Sequence, residues 1–180
     1  MAWLYPTATF DHSKYCKDYE KAGIPVLKPY EIDNYSKTFR YGDFSVKPFP
    51  LVHDVPCFGF YITEQSMGSC IYASDTEYIR YRFKNINHIL IEANHIQENV
   101  DRNLPQYEHI LRGHMSLDTT LKFLMFNDNP ALRNVVLLHL SDKNADSAQC
   151  LQKTRETVKY GADCYIASRG LNVDLNLCPF

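Results

Sequence analysis

Asn134-Val135-Val136-Leu137-Leu138-His139-Leu140-Ser141 is the segment that decides the fold. Its short apolar run between polar residues is typical of a strand buried on both faces. His88-Ile89-Leu90-Ile91-Glu92-Ala93 forms a second such run. Helical patterns follow each run: Ser116 can cap a helix over 117–126, and 144–160 repeats apolar positions at helical spacing. Buried strands with helices covering the faces predict an α/β layered architecture.

The remaining segments extend this sheet. Short β-prone runs predict strands over Phe44–Phe49, Cys57–Ile62 and Cys70–Ser74. The charged stretch Glu77–Phe83 is interpreted as helical, and 162–167 and 171–175 are interpreted as the last strands. Asp11-His12-Ser13 opens a short predicted helix that ends before Gly23.

Length and composition favour one soluble domain over residues 1–180, because no repeat, linker or low-complexity tract divides the chain. The net charge of −2 offers no strong basic field, which argues against nonspecific nucleic-acid binding through bulk charge. No apolar run is long enough to span a membrane, and the start has no secretory signal pattern, so a cytoplasmic protein is expected. Six widely spaced cysteines without a CxxC pair predict reduced, mostly buried thiols.

Several predicted strands run into a residue that can bind a metal ion. These residues are His53, Asp75, Glu92 with His95, and His139. Loops at the strand ends of an open α/β sheet converge on the ligand crevice, so these residues form a candidate site. Each of them taken alone is better explained as a polar cap where a strand meets solvent.

Taken in order, four segments resemble the metallo-β-lactamase fold hydrolases. They are Asp11-His12, Val52-His53-Asp54, Ala73-Ser74-Asp75-Thr76 and Leu138-His139-Leu140-Ser141. They match the last two residues of the family's first motif, HxHxDH, and then its distant histidine, its bridging aspartate and its last histidine. The resemblance implies an αββα sandwich.

Two further segments are similar to the phosphodiesterase branch of that family. They are Gly113-His114-Met115-Ser116 before a helix and Glu92-Ala93-Asn94-His95. The branch includes tRNase Z, the YycJ-like exonucleases and the phage cyclic-nucleotide phosphodiesterases that counter Pycsar defence. The resemblance therefore implies a metal-dependent phosphodiesterase.

The resemblance also implies a ligand set. Asp11, His12 and His139 would hold one metal ion, Asp75 would be shared, and His53 would belong to a second ion. Zinc, as one or two ions, is the expected metal, with manganese as an alternative.

Catalytic roles are implied in the same way. His114 is expected to act as general acid or phosphate contact, with Glu92 fixing its tautomer and Asp11 completing the catalytic set. His95 is a candidate residue for binding a cofactor or another ligand. His88 is expected to pack in the core and His109 to be solvated.

The chain departs from the family pattern at its N-terminus. Thr7 and Thr9 stand where the family has its two leading histidines, which predicts a weak or absent second metal ion. Only ten residues precede Asp11, where the family has several strands, so an N-terminally abbreviated sandwich is expected, with a tendency to form homo-oligomers.

Three functions are compatible with these residues. A phosphodiesterase acting on a cyclic nucleotide or another small phosphodiester is favoured over a nuclease of the same branch, because the chain is slightly acidic. The threonines keep open a degenerate relative that binds a nucleotide or a protein partner without cleaving it. A fragment of a longer product is the third possibility.

Overall fold

A computed structural model describes residues 3–4, 16–31 and 37–178 of the chain. Two short strands, β1 (Trp3–Leu4) and β2 (Val26–Leu27), pair in parallel, and the helix α1 (Cys16–Lys21) precedes β2. The other strands form one seven-stranded sheet. They are β3 (Phe39–Tyr41), β4 (Phe44–Pro50), β5 (Phe58–Glu64), β6 (Gly68–Ala73), β7 (His88–Glu92), β8 (Asn134–Leu138) and β9 (Asp163–Ile166).

The strands of this sheet are neighbours in the same order as in the sequence. The strands β3 to β6 are antiparallel, and β6 to β9 are parallel. A two-residue loop, Gly42-Asp43, joins β3 to β4, and Gly42 adopts φ 59°, which glycine does at little cost. The parallel half therefore brings the carboxyl ends of β6, β7 and β8 to one edge.

Three helices connect the parallel strands. The helices α2 (Tyr107–Gly113) and α3 (Leu117–Asn127) lie between β7 and β8, and α4 (Ser147–Thr157) lies between β8 and β9. The hydroxyl of Ser116 accepts a hydrogen bond from the Thr119 N–H, so the predicted N-cap of α3 is confirmed.

The sheet has an apolar cluster on each face. The larger cluster joins the parallel strands to α3 and α4, and Ile71, Ile91, Leu124 and Leu137 are fully buried in it. The smaller cluster lies on the opposite face around Phe60. The α/β layered fold predicted from the strand and helix pattern is confirmed.

Gly59 of β5 lies directly opposite Phe49 of β4. A Cβ added at Gly59 would lie 2.4 Å from Phe49 Cζ and 3.0 Å from the Tyr72 carbonyl oxygen. The Phe49 ring fills the space that a side chain would need, which explains a glycine inside a central strand.

We expect Gly59→Ala to lower the free energy of unfolding by about 1–3 kcal/mol, because the ring must leave its packed position. Urea unfolding followed by circular dichroism measures this change. Gly113→Ala is the matched control, since the nearest side-chain atom to its new Cβ is 3.5 Å away. Equal stability of the two variants would contradict the packing argument.

Two predicted elements are wrong. Residues 77–83 are not helical but run as an irregular extended segment, with the Thr76 hydroxyl bonded to the Tyr78 carbonyl and the Phe83 N–H bonded to Asn127 Oδ1. Every second residue from Ile79 to Phe83 is apolar or aromatic, a spacing that suits an extended chain better than a helix. Residues 171–175 form no strand, and the chain turns immediately before them at Gly170, where φ is 88°.

Other expectations are met in the described residues. All six cysteines are free thiols, and five of them are buried. His88 is buried, with Nε2 3.0 Å from the Met67 carbonyl oxygen and Nδ1 3.0 Å from Asn134 Nδ2. No helix in the described part of the chain has the length and apolar character needed to cross a membrane.

Candidate metal centre

Four polar side chains meet at the carboxyl edge of the parallel strands. Asp75 lies two residues after β6, Glu92 ends β7, His139 follows β8, and His114 follows α2. Their ligand atoms all lie within 4.8 Å of one another. The structure thus brings together four of the residues predicted from strand ends and from the Gly113-His114 segment.

Two of these residues have an unusual backbone conformation. Asp75 has φ 55° and His139 has φ 54°, in the left-handed region that residues other than glycine rarely adopt. Both carbonyl groups accept a supporting hydrogen bond, Asp75 from the Cys57 thiol at 3.2 Å and His139 from Asn94 Nδ2 at 2.9 Å. Strained backbone held by its surroundings is common where side chains must be aimed at a ligand.

Glu92 is the fully buried centre of the cluster. Its Oε1 lies 2.8 Å from Nδ1 of both His114 and His139, and its Oε2 accepts the backbone N–H groups of Thr76 at 3.0 Å and Met115 at 3.4 Å. Both oxygens are therefore engaged by the protein. Because Nδ1 of each ring faces Glu92, Nε2 is the nitrogen that points away from it and is left to bind a ligand.

The charges in the cluster stabilise one another. Burial raises the pKa of the Glu92 carboxyl, but hydrogen bonds from His114 and His139 outweigh burial and hold this pKa below its ordinary value. Hydrogen bonds to Asp75, whose Oδ1 is 3.2 Å from Nδ1, and to Glu92 raise the pKa of His139 to about 10. His139 is therefore protonated at neutral pH when no cation is bound.

This state makes stability depend on pH in the metal-free protein. The pKa of His139 is raised from 6.5 to about 10, so its contribution to stability is fully present below pH 6.5 and disappears as the pH rises through 10. We expect the melting temperature to fall between pH 7 and pH 10 by more in the wild type than in His139→Asn. Thermal unfolding in a chelating buffer measures this difference, and parallel pH profiles would contradict it.

The donor set fits a divalent metal ion. Two imidazoles and two carboxylates within 4.8 Å are the ligand types that zinc and manganese take in proteins. Asp75 and His139 could act as direct ligands, while Glu92 is placed to orient the two histidines. The cluster is therefore a possible metal site, and the identity of the metal is open.

His53 lies at the rim of this cluster. Its ring centroid is 6.4 Å from that of His114, and its Nδ1 faces the Asp54 carboxylate. His109, which was expected to be solvated, is exposed, but its ring centroid is 6.0 Å from that of His114. Its Nδ1 is also 3.7 Å from Asp54 Oδ2. Sequence reasoning missed this Asp54 and His109 pair because the two residues lie far apart in the chain.

His95 is not one of the four clustered residues. Its side chain is buried, and its Nδ1 has no hydrogen-bond partner among the described residues. Burial lowers its pKa, which favours a neutral ring. Its predicted part in ligand binding stays a prediction.

Asp11 and His12, with Thr7 and Thr9, lie outside the described residues. Their predicted roles as metal ligands and, for Asp11, in catalysis therefore stay predictions. A separate cleft of about 800 Å³ is lined by Leu4, Phe44, Ile62 and Tyr72, but by none of the four clustered residues.

No protein-family model and no curated protein matches the sequence of this chain. Solved structures do resemble its fold. The metallo-beta-lactamase fold protein YhfI from Bacillus subtilis superposes with a TM-score of 0.69 at 17% identity. The match covers 94% of this chain and 76% of YhfI.

Two other solved structures are similar. The isothiocyanate hydrolase from Delia radicum gut bacteria gives a TM-score of 0.61 at 12% identity, covering 97% of this chain and 78% of that one. A diphosphatase of the PhnP family gives 0.55 at 12% identity, covering 93% and 55%. This chain thus spans about half the length of the diphosphatase. At these identities the likeness is one of fold.

Proposed function

We propose that this chain, which has the metallo-β-lactamase fold, is a metal-dependent hydrolase of phosphodiesters. The observation that carries the proposal is the convergence of Asp75, Glu92, His114 and His139 within 4.8 Å at one edge of the sheet. The diphosphatase among the similar structures supports a phosphate substrate. The diphosphatase is a different protein, and its activity is extended to this chain only as part of the proposal.

The residues of the cluster have different roles in this proposal. Asp75 and His139 would hold the metal ion, zinc in the first instance, together with Asp11 and His12 if these complete the site. A bound divalent cation supplies Lewis acidity toward a phosphoryl oxygen. His53 would bind a second metal ion. Thr7 and Thr9 stand where the family has two histidines, so this ion would be held weakly.

His114 is placed to handle a proton. Its Nδ1 is fixed at 2.8 Å from Glu92 Oε1, and its ring centroid is 5.0 Å from that of His139. Its Nε2 would donate to the oxygen that leaves phosphorus, and Glu92 would keep the ring in the orientation that this transfer needs. His114 is thus the proposed general acid and Glu92 a positioning residue.

The substrate class follows from charge. A chain with a net charge of −2 favours a small phosphodiester, such as a cyclic nucleotide, over a long duplex held by bulk charge. A nuclease that acts on short strands uses the same bond chemistry and is the alternative. A cytoplasmic location and a homo-oligomer remain part of the proposal.

Metal content and turnover test the proposal together. Protein purified without chelator is analysed for metal by mass spectrometry, then assayed on bis(p-nitrophenyl) phosphate and on cyclic nucleotides with added zinc or manganese. We expect bound metal and hydrolysis that a chelator abolishes and metal restores. Metal-free protein with no turnover under either ion would overturn the proposal.

Thr7 and Thr9 favour a second candidate, a relative that binds a nucleotide without cleaving it. Its signature is saturable nucleotide binding with no product after long incubation. Restoring both histidines, as Thr7→His with Thr9→His, should then create activity only if the remaining ligands are in place. This variant separates a lost second metal ion from a lost site.

A further inference from the structure

A strip of exposed cations and aromatic rings lies beside the cluster. It comprises Tyr78, Arg80 and Arg82 on the extended segment after β6, and Lys122 and Phe126 on α3. We name these five residues the arginine-aromatic strip. All of them are exposed, with Tyr78 at 38% and Phe126 at 53%. Large exposed rings interleaved with cations are a composition that binding surfaces use.

The backbone under the strip is fixed at both ends. At one end the Thr76 hydroxyl lies 3.0 Å from the carbonyl oxygens of both Val52 and Tyr78 and can donate to either, and at the other the Phe83 N–H donates to Asn127 Oδ1 at 2.7 Å. Ile79 lies between these two bonds and Phe83 lies at the second one, and both side chains pack against the core. The strip is therefore a preorganised surface whose outward residues are held by an anchored segment.

The guanidinium groups are stacked on rings. Arg82 Cζ lies 4.1 Å from the Phe126 ring centroid, and Arg80 Cζ lies 5.8 Å from that of Tyr78. A guanidinium that lies against a ring keeps its N–H edge available for an anion such as a phosphate. Tyr78 and Tyr81, both exposed, present further ring surface in the same segment.

The charge of this surface differs from that of the whole chain. Four cations, Arg80, Arg82, Lys84 and Lys122, lie on segment 77–84 and on the exposed side of α3. The same elements carry two acids beside them, Glu77 and Asp118. The local balance is thus positive, although the chain as a whole has a net charge of −2.

The strip leads directly into the candidate metal centre. Thr76, two residues before Tyr78, donates its N–H to Glu92 Oε2, and Asp75 precedes it in the chain. Segment 77–84 has eight residues and, at about 3.3 Å per extended residue, spans at most about 25 Å. That length suits a strand of several nucleotides whose end reaches the clustered residues.

We propose that the arginine-aromatic strip binds single-stranded nucleic acid, its cations contacting phosphates and its rings stacking on bases. Every base has a π-face, so such a surface binds strands with little sequence preference. The inference favours the alternative substrate within the proposed function, a short nucleotide strand in place of a cyclic nucleotide, and it rests on that function only for the cleavage step. Strand binding itself requires no metal ion.

Two other partners fit the strip less well. A membrane surface would need a larger contiguous apolar face, whereas here the rings alternate with charges. An acidic peptide would use the cations but leaves Tyr78 and Phe126 without matching groups. Nucleic acid uses both kinds of side chain.

Fluorescence anisotropy with labelled oligothymidine and oligouridine of about 12 nucleotides tests the inference. Metal-free protein is used, so that no cleavage occurs. We expect Arg80→Gln with Arg82→Gln to raise the Kd roughly ten-fold or more at about 50 mM salt, and to reduce the salt dependence of binding, because two phosphate contacts are lost. The DNA and RNA probes distinguish the two kinds of strand.

Lys17→Gln with Lys21→Gln on α1 is the matched control, since both lysines are exposed and the same charge is removed away from the strip. Equal loss in the two double variants, or wild-type protein that binds neither probe, would overturn the inference. So would binding to anionic phosphatidylserine vesicles that competes with the probes through the same arginines. Tyr78→Ala should weaken oligonucleotide binding roughly ten-fold while leaving polyphosphate binding unchanged.

These outcomes are independent of the proposed function. If the arginine variant loses strand binding and the protein shows no hydrolysis, the strip is supported as a binding surface and the phosphodiesterase activity is rejected. Hydrolysis of bis(p-nitrophenyl) phosphate without strand binding would do the reverse, and would return the substrate to a small phosphodiester.

Discussion

Replacing His139 with alanine is expected to lower the hydrolysis of bis(p-nitrophenyl) phosphate about 1000-fold in metal-supplemented protein. His139 contacts both carboxylates of the cluster, and losing it removes a proposed ligand. A bound metal ion contributes several kcal/mol to transition-state stabilisation, and each 1.36 kcal/mol is ten-fold in rate. Asp75→Ala should lower the rate of hydrolysis to a similar extent. Steady-state kinetics with bound metal measured alongside gives the test.

The backbone conformation at these two positions limits the choice of substitution. His139 and Asp75 have positive φ, which alanine tolerates poorly and asparagine tolerates better. His139→Asn and Asp75→Asn therefore separate loss of the ligand from loss of the turn. Asp142→Ala, an exposed aspartate three residues after His139, is the matched control and should keep full activity. Asparagine variants with wild-type rates would contradict the assignment.

Glu92→Gln is expected to reduce metal affinity or turnover about 10–100-fold and to lower the free energy of unfolding by about 1–3 kcal/mol. The glutamine oxygen can still accept the N–H groups of Thr76 and Met115, which places the amide NH₂ group against the two histidines. Both Nδ1 atoms must then accept a hydrogen bond instead of donating one. Nε2 carries the proton in that tautomer and cannot bind a cation.

Calorimetric zinc titration, chemical unfolding and nuclear magnetic resonance of the ring nitrogens measure the three effects of this substitution. Glu98→Gln, an exposed glutamate in the segment after β7, supplies the matched control. A Glu92→Gln protein with unchanged histidine tautomers and unchanged zinc affinity would show that Glu92 only fills space.

The sequence allowed much of the fold to be predicted. The buried runs that became β7 and β8 are continuous and apolar, and Ser116 marks the start of α3, so local signals agree with the tertiary structure there. The error at 77–83 has a physical cause: its charges resemble an amphipathic helix, but Phe83 and Ile79 pack on the core in an extended chain. Composition alone does not distinguish these two conformations.

The candidate site was predictable where strands end in a polar residue. Asp75, Glu92 and His139 belong to adjacent parallel strands, so their meeting follows from strand order, while His114 required the family resemblance. The Asp54 and His109 contact depends on how α2 packs, which no local pattern encodes. The left-handed backbone at Asp75 and His139 was equally invisible in the sequence.

The order of strands in the sheet has a consequence for synthesis on the ribosome. Each of the strands β3 to β9 pairs with its neighbour in sequence, so the sheet can grow one strand at a time as the chain emerges. His139 emerges only after β8, when five earlier strands can already be paired. Metal capture would therefore be a late event, and a nascent chain that stops before residue 139 would have a nearly formed sheet and three of the four clustered residues, but not His139.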